Sequence, residues 1–338
     1  MKAVILTATG GVDGLVYEDT PRPEPASGEV RVRLYASALN RRDLAVVEGR
    51  HPGTQTPVIC GSDGAGVVDA VGAGVDAALL GRAVVLYPAR EWGDDQSCAG
   101  RTFRVLGMPD PGTFADYTCA PYTDIAPKPD HLDFEQAAAL PLAGLTSWRA
   151  VVTHGEVKAG MNVLVAGAGS GVSTFAIQWA ALKGANVYVT SSSAEKIAKA
   201  VSIGAVGGAD YREPGYAAAL SKQARGFHLI VDSAGGDGLN ALLDALRPGG
   251  RYVFFGATLG EPKAGIELRK LFLRHIRLQA STMGSLEEFK AMLQFAAAHK
   301  VKPVIDRVLP LARAAEGVAL LKSFGQTGKI VLRHERSV

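Results

Sequence analysis

The pattern of apolar and polar residues changes character near residue 128. Before that point, short segments alternate polar and apolar residues, which is typical of half-buried β-strands. Strands are predicted at 29–36, 64–72 and 83–87, and the Gly-, Asp- and Pro-rich residues 88–111 predict an irregular lobe. The first part of the chain is therefore expected to be rich in β-structure.

After a proline-rich junction at 121–129, apolar segments of strand length alternate with helical patterns. A helix is expected at 134–140, with Asp133 as its N-cap. The alternation that follows predicts an α/β domain whose parallel sheet is doubly wound, with helices on both faces. Its predicted strands are 162–166, 186–190, 228–232, 251–255 and 276–281, and its main predicted helices are 171–183, 194–203 and 237–246.

The C-terminal segment is expected to return to the first domain. A helix at 286–299 is followed by strand segments at 305–308 and 329–332, and the first domain otherwise lacks strands to close its sheet. The chain of 338 residues is long enough for two domains with sizeable cores. We predict one domain from residues 1–127 and 283–338, and a second from residues 128–282.

A glycine turn joins the first strand of the second domain to its helix. It reads Gly167-Ala168-Gly169-Ser170-Gly171-Val172 and lacks the last glycine of a strict G-x-G-x-x-G pattern. Such a turn aims unpaired backbone N–H groups and the positive end of a helix dipole at one point, where a diphosphate binds well. We predict a dinucleotide site at Gly169, Ser170, Gly171 and Val172; the alternative is an ordinary turn of an α/β fold.

Composition narrows the class of protein. Hydrophobic residues make up 47% of the chain and charged residues 20%, as in folded globular proteins. A net charge of +3 gives no electrostatic argument for nucleic acid or a membrane surface as the main partner. A basic patch at Arg269, Lys270, Arg274, His275 and Arg277 is interpreted as a solvated helix face. Three widely spaced cysteines, with no signal-peptide pattern and no apolar run of bilayer length, predict a cytoplasmic protein.

Motifs along the whole chain resemble the medium-chain dehydrogenase/reductase superfamily. They are Asn40-Arg41-Arg42-Asp43-Leu44, Gly61-Ser62-Asp63-Gly64-Ala65-Gly66-Val67-Val68, the segment 137–146, the glycine turn, Leu246-Arg247-Pro248-Gly249-Gly250-Arg251 and Gly328-Lys329-Ile330-Val331-Leu332. Within the superfamily, the chain is most similar to the zinc-free quinone oxidoreductase (zeta-crystallin-like) branch. The resemblance implies a Rossmann nucleotide-binding domain and a β-rich, GroES-like catalytic domain. It also implies a homodimer in which the strand near 276–280 pairs across the two-fold axis.

The resemblance also implies where zinc-dependent relatives hold their catalytic metal. Their first ligand, a Cys, stands at the position of Asn40, and their second, a His followed by Glu, stands at Ser62-Asp63. Their third, a Cys, falls near 142–144, where this chain reads Leu-Ala-Gly. A catalytic zinc needs three side-chain ligands and an open position. We therefore expect no metal; the alternative is a zinc-type alcohol dehydrogenase with atypical ligands.

The predicted coenzyme is NADPH. Enzymes that use NAD usually place Asp or Glu at the end of the second Rossmann strand, but here Ser191, Ser192 and Ser193 follow that strand. Serine hydroxyls can donate hydrogen bonds to a 2′-phosphate and do not repel its charge. The resemblance implies that Lys196 and Tyr211 contact this phosphate, and the neighbouring Arg212 could add charge. The alternative is a serine helix cap beside a surface lysine.

If no metal is bound, no Lewis acid polarises the substrate oxygen. We therefore expect an acceptor that is already electron-poor, such as a quinone or an α,β-unsaturated carbonyl. The resemblance implies that Asn40, Asp43 and Thr146 line the catalytic cleft. Asp43 could instead pair with Arg41 or Arg42, and Thr146 could bond to its own helix.

Further contacts are predicted for the coenzyme and the substrate. Phe255 and Gly256 are expected to meet the carboxamide through backbone groups, and Lys329 is a coenzyme contact whose alternative is a surface charge. The candidates for the substrate pocket are His51, Tyr87 and Trp92. A third interpretation, a nucleotide- or RNA-binding protein without turnover, is supported only by the basic patch.

Overall fold

The computed structural model describes residues 1–335, and residues 336–338 of the predicted first domain lie outside this range. Its strands are β1 (Lys2–Leu6), β2 (Leu15–Asp19), β3 (Glu29–Ala38), β4 (Val58–Ile59), β5 (Asp63–Val71), β6 (Ala83–Leu86), β7 (Ala89–Arg90), β8 (Arg104–Val105), β9 (Tyr117–Pro121), β10 (Ile125–Pro127), β11 (Asn162–Val165), β12 (Asn186–Thr190), β13 (Ala205–Ala209), β14 (Phe227–Asp232), β15 (Leu246–Phe254), β16 (Arg277–Ala280), β17 (Ile305–Pro310) and β18 (Lys329–Arg333). Its α-helices are α1 (Arg41–Val47), α2 (Phe134–Ala138), α3 (Pro141–Trp148), α4 (Gly171–Leu182), α5 (Ala194–Ser202), α6 (Tyr216–Ala224), α7 (Leu239–Ala245), α8 (Leu268–Leu273), α9 (Leu286–Ala298) and α10 (Ala314–Lys322).

The fold divides into two compact units. The first unit contains Met1–Leu145 together with the chain from Gly284 onward, and the second contains Thr146–Met283. The discontinuous arrangement resembles the predicted one, but the first boundary falls after Leu145 instead of after residue 127.

Contacts of α2 and α3 explain this later boundary. The Phe134 ring stacks on Tyr35 of β3 with 4.5 Å between ring centroids, and the Leu142 N–H donates to Asp63 of β5 over 2.7 Å. Helix α2 therefore packs on the sheet of the first unit and the start of α3 is bonded to it, which the proline pattern at 121–129 could not reveal. The predicted cap at the start of α2 is confirmed, since the Asp133 carboxylate accepts from the Gln136 N–H.

The second unit is built on a six-stranded parallel sheet with strand order β13-β12-β11-β14-β15-β16. This is the Rossmann order, in which two βαβαβ halves diverge from the central pair of strands. Apolar strand residues such as Val163 and Ile230 are fully buried, as are Phe175 and Trp179 of α4. The predicted doubly wound parallel sheet is confirmed.

One strand of this sheet was missing from the prediction. Strand β13 pairs with β12 and lies at the sheet edge. Its sequence, Ala205-Val206-Gly207-Gly208-Ala209, has two glycines and a Val206 that is 56% exposed. Glycine is depleted in strands and an edge strand needs no continuous apolar pattern, so periodicity gave no signal for this strand.

The first unit is built on a mostly antiparallel sheet in the order β10-β6-β5-β3-β18-β17, with β9 also paired to β3. In β3, Val30, Val32 and Leu34 alternate along the strand and are buried. Strand β18 pairs antiparallel with β3 and parallel with β17. The predicted return of the C-terminal segment is therefore confirmed, and it brings Lys329 into the middle of this sheet.

None of the helices within residues 1–335 combines the length and the apolar character that crossing a membrane requires.

Candidate functional site

The glycine turn lies between β11 and α4 in the second unit, as predicted. Gly167 has a φ of 76°, a conformation that L side chains rarely adopt, and its N–H donates to Thr190 Oγ1 over 3.2 Å. Ser170 is the N-cap of α4, because its Oγ accepts from the Ser173 N–H over 3.0 Å. The turn is thus fixed against the end of β12.

Backbone donors of this turn remain available to a ligand. The N–H groups of Gly171 and Val172, at the start of α4, have no hydrogen-bond partner among residues 1–335. Both residues are partly exposed, as are Gly169 and Ser170. These donors, together with the positive end of the α4 dipole, suit a diphosphate.

Lys196 of α5 lies over the glycine turn. A Cβ atom on Gly169 would lie 2.7 Å from Lys196 Cδ and 3.0 Å from its Nζ, so glycine is required for this side chain to lie where it does. The Lys196 N–H is held by the N-cap, Ser193 Oγ, over 3.3 Å. A cationic side chain therefore lies against Gly169 of the turn.

Polar groups surround Ser192, just beyond the end of β12. The Tyr211 hydroxyl donates to Ser192 Oγ over 3.0 Å, and Arg212 Nη2 donates to the Ser192 carbonyl over 2.8 Å. Arg212 also forms an ion pair with Asp210 at 2.5 Å, which offsets part of its charge. The neighbouring Ser191 is buried, with its N–H bonded to the Ala209 carbonyl at 3.1 Å.

The segment after β15 packs closely against the end of β14. The Phe255 N–H donates to the Asp232 carbonyl over 3.1 Å, and a Cβ on Gly256 would lie 3.1 Å from the Ser233 carbonyl oxygen. Asp232 is buried and its carboxylate accepts from the Gly235 N–H and from the Tyr252 hydroxyl. Burial and the nearby carboxylate raise the pKa of Tyr252. Sequence reasoning assigned no role to Asp232 or Tyr252, although a carboxylate that ends an apolar strand was an available signal.

In the first unit, four polar side chains form what we call the Asn40 cluster: Asn40, Asp43, Asp63 and Lys329. Lys329 Nζ donates to Asn40 Oδ1 over 2.6 Å and to Asp63 Oδ2 over 2.8 Å. Asn40 Nδ2 donates to the same Asp63 oxygen over 2.9 Å. Side chains of Lys329 and Asp63 are only 3% and 0% exposed, so this is a buried ion pair.

The sequence did not predict that Lys329 and Asp63 are buried and paired with each other. The alternative that Lys329 is a surface charge is wrong, because β18 lies inside the sheet of the first unit. Asp63 was noted only as part of a segment without zinc ligands. A lone carboxylate at the start of the apolar, glycine-rich β5 was the signal that it needed a buried partner.

Asp43 joins the cluster through its contact with Asn40, in a capping box at the start of α1. Its Oδ2 accepts from the Asn40 backbone N–H over 2.7 Å, while Oδ1 is buried and has no partner among the described residues. Burial raises the pKa of Asp43 to about 6. The alternative that Asp43 pairs with Arg41 or Arg42 is not what residues 1–335 show. Arg42 instead donates to Ser62 Oγ and to the Met108 carbonyl.

The other predicted site residues are buried or form hydrogen bonds with neighbouring groups of the protein. Thr146 is buried in α3. The Tyr87 hydroxyl donates to the Gly284 carbonyl over 2.8 Å, and the Trp92 indole N–H donates to the Asp95 carbonyl over 3.1 Å. His51 Nδ1 lies 2.9 Å from the Pro52 carbonyl, and burial lowers its pKa. A role for His51, Tyr87 and Trp92 in a substrate pocket stays a prediction.

A catalytic zinc does not fit the donors at the three positions used by zinc-dependent relatives. Asn40 offers an amide already engaged by two charges, and the Ser62 hydroxyl accepts from Arg42. At the third position the Leu142 backbone donates to Asp63 Oδ1. Within the part of the chain that the structure describes, no group of three or more His, Cys, Asp or Glu side chains could hold a metal ion.

Two members of the basic patch of the second unit, Lys270 and Arg274, are bonded within the fold. Arg274 donates to the carbonyls of Leu243, Asp244 and Leu246 at the end of α7, and Lys270 pairs with Asp244 at 3.2 Å. Cations at a helix C-terminus stabilise its unpaired carbonyls. The prediction was a solvated helix face, and the side chains of Lys270 and Arg274 remain partly exposed.

Two family models match the chain. One described as "Alcohol dehydrogenase GroES-like domain" matches residues 26–130, and one described as "Zinc-binding dehydrogenase" matches residues 171–298. The first lies in the unit that holds the Asn40 cluster, and the second begins at the end of the glycine turn and covers α4 and strands β12 to β16 of the parallel sheet.

Curated relatives and solved structures match over nearly the whole chain. "Zinc-type alcohol dehydrogenase-like protein YogA" of Leptosphaeria maculans is 34% identical, over 92% of this chain and 92% of its own length. A "Quinone oxidoreductase" of Pseudomonas aeruginosa is 31% identical, over 98% and 99% of the two chains. The crystal structure of an "NAD-dependent alcohol dehydrogenase" superposes with a TM-score of 0.93 at 38% identity, covering 98% of this chain and 99% of that chain.

Proposed function

Since the chain belongs to the medium-chain dehydrogenase/reductase superfamily of oxidoreductases, we propose that it reduces a quinone or an α,β-unsaturated carbonyl with NADPH and without a catalytic metal. The observation that carries this proposal is the Asn40 cluster. Asn40, at the position of the first zinc ligand of zinc-dependent relatives, is bonded instead to Lys329 and Asp63, which also pair with each other. The name of the Pseudomonas aeruginosa relative supports the acceptor class.

The second unit fits a nicotinamide dinucleotide. Backbone N–H groups of Gly171 and Val172 and the dipole of α4 would hold the diphosphate, and Gly169 leaves room for the Lys196 side chain over the turn. Phe255 and Gly256 would meet the carboxamide through their backbone. When bound, the reduced nicotinamide supplies a hydride.

The residues after β12 support NADPH over NADH. Ser191 and Ser192 offer hydroxyls where an Asp or Glu would repel a 2′-phosphate, and Lys196, Tyr211 and Arg212 could donate to it. Asp210 works against this preference, because it pairs with Arg212. The solved relative at 38% identity is named as an NAD-dependent enzyme, so both coenzymes must be compared directly.

For this reaction the protein needs mainly to orient the coenzyme and the acceptor and to exclude water from the site. Conjugation in a quinone or enone stabilises the electrons that arrive with the hydride, so no Lewis acid is needed. We propose that Asn40 orients the acceptor, that Asp43 holds the Asn40 backbone N–H, and that Thr146 is a catalytic residue of the second unit. Water can supply the proton that completes reduction.

The same proposal includes a cytoplasmic homodimer. Strand β16 lies at one edge of the parallel sheet and all of Arg277–Ala280 is exposed. An unpaired edge next to exposed apolar residues of α8, including Phe272 at 65% exposure, is suited to pairing with a second copy.

An acceptor screen tests the proposed function. Purified protein is mixed with NADPH or NADH and a panel of quinones, enals, enones and simple alcohols or ketones, and nicotinamide absorbance is followed. We expect NADPH oxidation with quinones or activated alkenes, and no stoichiometric zinc by metal analysis. Zinc that is lost together with activity would support the zinc-type alcohol dehydrogenase. RNA binding that depends on Arg274, without any turnover, would support the third interpretation.

Coenzyme choice is tested by Lys196→Ala, with Lys199→Ala as the matched control on the same helix. Loss of a charge-assisted contact to the phosphate is worth about 1.5–3 kcal/mol, so NADPH should bind roughly ten- to a hundredfold more weakly. NADH binding should stay unchanged, and Lys199→Ala should affect neither. Equal weakening of both coenzymes in a fluorescence titration would contradict the phosphate role.

A further inference from the structure

We infer that Lys329 is a positioning residue for this reductase: together with Asp63 it fixes the carboxamide of Asn40 in a single orientation. The inference rests on the proposed function for its catalytic consequence, but the orientation itself is a property of the first unit alone.

The cluster joins segments that are far apart in the sequence. Asn40 precedes α1, Asp63 begins β5 and Lys329 begins β18, which is 289 residues beyond Asn40. Asp63 Oδ1 also accepts from the Leu142 N–H at the start of α3. Four segments therefore meet at one buried ion pair, and the position of Asn40 depends on all of them.

The two charges determine which way the Asn40 amide points. Its Oδ1 faces the Lys329 ammonium, which can only donate, and its Nδ2 faces the Asp63 carboxylate, which can only accept. A flipped amide would place N–H groups against the ammonium and the oxygen against the carboxylate. Both contacts would then be repulsive in a buried site, so only one orientation is stable.

This role differs from the coenzyme contact that the sequence predicts for Lys329. Two of its three N–H groups are used inside the cluster, and its side chain is 3% exposed. A positioning residue acts through Asn40, so its removal should affect turnover and leave coenzyme affinity intact. A coenzyme contact should do the reverse.

Two substitutions and their combination test whether Lys329 acts through Asn40. Lys329→Met keeps the length of the side chain and removes its charge, and Asn40→Leu removes the amide. We expect each to lower kcat by about 10²-fold, as for a misplaced group, with the Kd for NADPH unchanged. The double variant should lose no more than either single variant. Additive losses in kcat, or a raised Kd for NADPH in Lys329→Met, would overturn the inference.

A fourth variant distinguishes a positioning role from a role in stability. Lys329→Met leaves the Asp63 charge buried without its partner, whereas Asp63→Asn/Lys329→Met removes both charges and should regain thermal stability. If kcat stays low in this stable variant, the positioning role holds; if kcat returns with stability, the role is only structural. Lys322→Met, on the exposed end of α10, is the control and should match the parent protein.

A spectroscopic readout keeps the test independent of any activity. The chain has four asparagines, at 40, 162, 186 and 240, so selective ¹⁵N-asparagine labelling gives few side-chain amide signals. The Asn40 Nδ2 protons should exchange slowly with solvent in the parent protein, and faster in Asp63→Asn/Lys329→Met. Equal protection in both would overturn the inference. Failure of the acceptor screen would instead overturn the proposed function and leave this result standing.

Discussion

The glycine turn of the second unit and the Asn40 cluster of the first unit use polar groups in different ways. The turn is contiguous in sequence and partly exposed, and backbone donors of Gly171 and Val172 are left for a ligand. The cluster gathers side chains from distant segments, is buried, and bonds most of its polar side-chain atoms within the first unit, Asp43 Oδ1 being an exception among the described residues. The first arrangement is suited to binding an anion, and the second to holding a shape.

The comparison explains why the two regions should respond differently to substitution. If the turn binds the coenzyme as proposed, removing a group from it takes away a ligand contact that water can partly replace. Removing a group from the cluster leaves a charge or an amide buried without a partner, which costs far more free energy. Substitutions in the cluster should therefore lower the folding stability, and substitutions in the turn should lower the affinity for the coenzyme.

The largest effect is expected for Asp63→Ala. It leaves the Lys329 ammonium buried without its carboxylate and removes the acceptor of Asn40 Nδ2 and the Leu142 N–H. Breaking a buried pair in this way costs about 3–5 kcal/mol of folding free energy. Urea unfolding followed by fluorescence and circular dichroism measures the loss.

Ser170→Ala is the matched substitution in the turn. It removes the N-cap of α4, which costs about 1 kcal/mol. If the two variants lose similar amounts of stability, the contrast between a shape-holding cluster and a ligand-binding turn does not hold.

A smaller effect, dependent on pH, is expected from Asp43. Its pKa is raised from 3.8 to about 6 in the folded protein because the carboxyl is buried. Between these two values the folded state binds the proton more tightly than the unfolded state. Stability should therefore fall as the pH rises from about 4 to about 6, by about 3 kcal/mol in total.

Asp43→Asn should remove this slope, because the amide stays neutral and its oxygen can still accept from the Asn40 N–H. The free energy of unfolding, measured by urea titration at several pH values, should change less between pH 4 and 6 than in the parent protein. An unchanged slope would show that Asp43 is not the group that titrates.

The smallest effect on stability, but a clear one on binding, is expected for Gly169→Ala. The new methyl group would meet the Lys196 side chain, which is flexible and can move away. Stability should change little, while displacement of the ammonium should weaken NADPH binding about tenfold, equivalent to ~1.4 kcal/mol.

Gly207→Ala on β13 provides the control for this substitution. A Cβ at Gly207 meets no atom within 4 Å, and this residue is not among those with a positive φ. Its NADPH affinity should equal that of the parent protein. Loss of stability without loss of affinity in Gly169→Ala would indicate that the turn has only a structural role.

The sequence predicted the regions whose structure is encoded locally. The order of strands and helices from β11 onward, the glycine turn and the Asp133 cap all follow from patterns within a few residues, and the structure has them. Strand β13 was not predicted, because two glycines and an edge position leave no periodic apolar signal.

What the sequence determined by itself was the Rossmann half of the fold and its glycine turn, because hydrophobic periodicity and turn chemistry act between close neighbours. Only the tertiary structure decided that Lys329 is buried against Asp63 and Asn40. Whether a charge is buried depends on which strands lie beside it, and β18 reaches β3 and the start of α1 only when the end of the chain returns to the first unit. No local pattern can encode a partner 289 residues away.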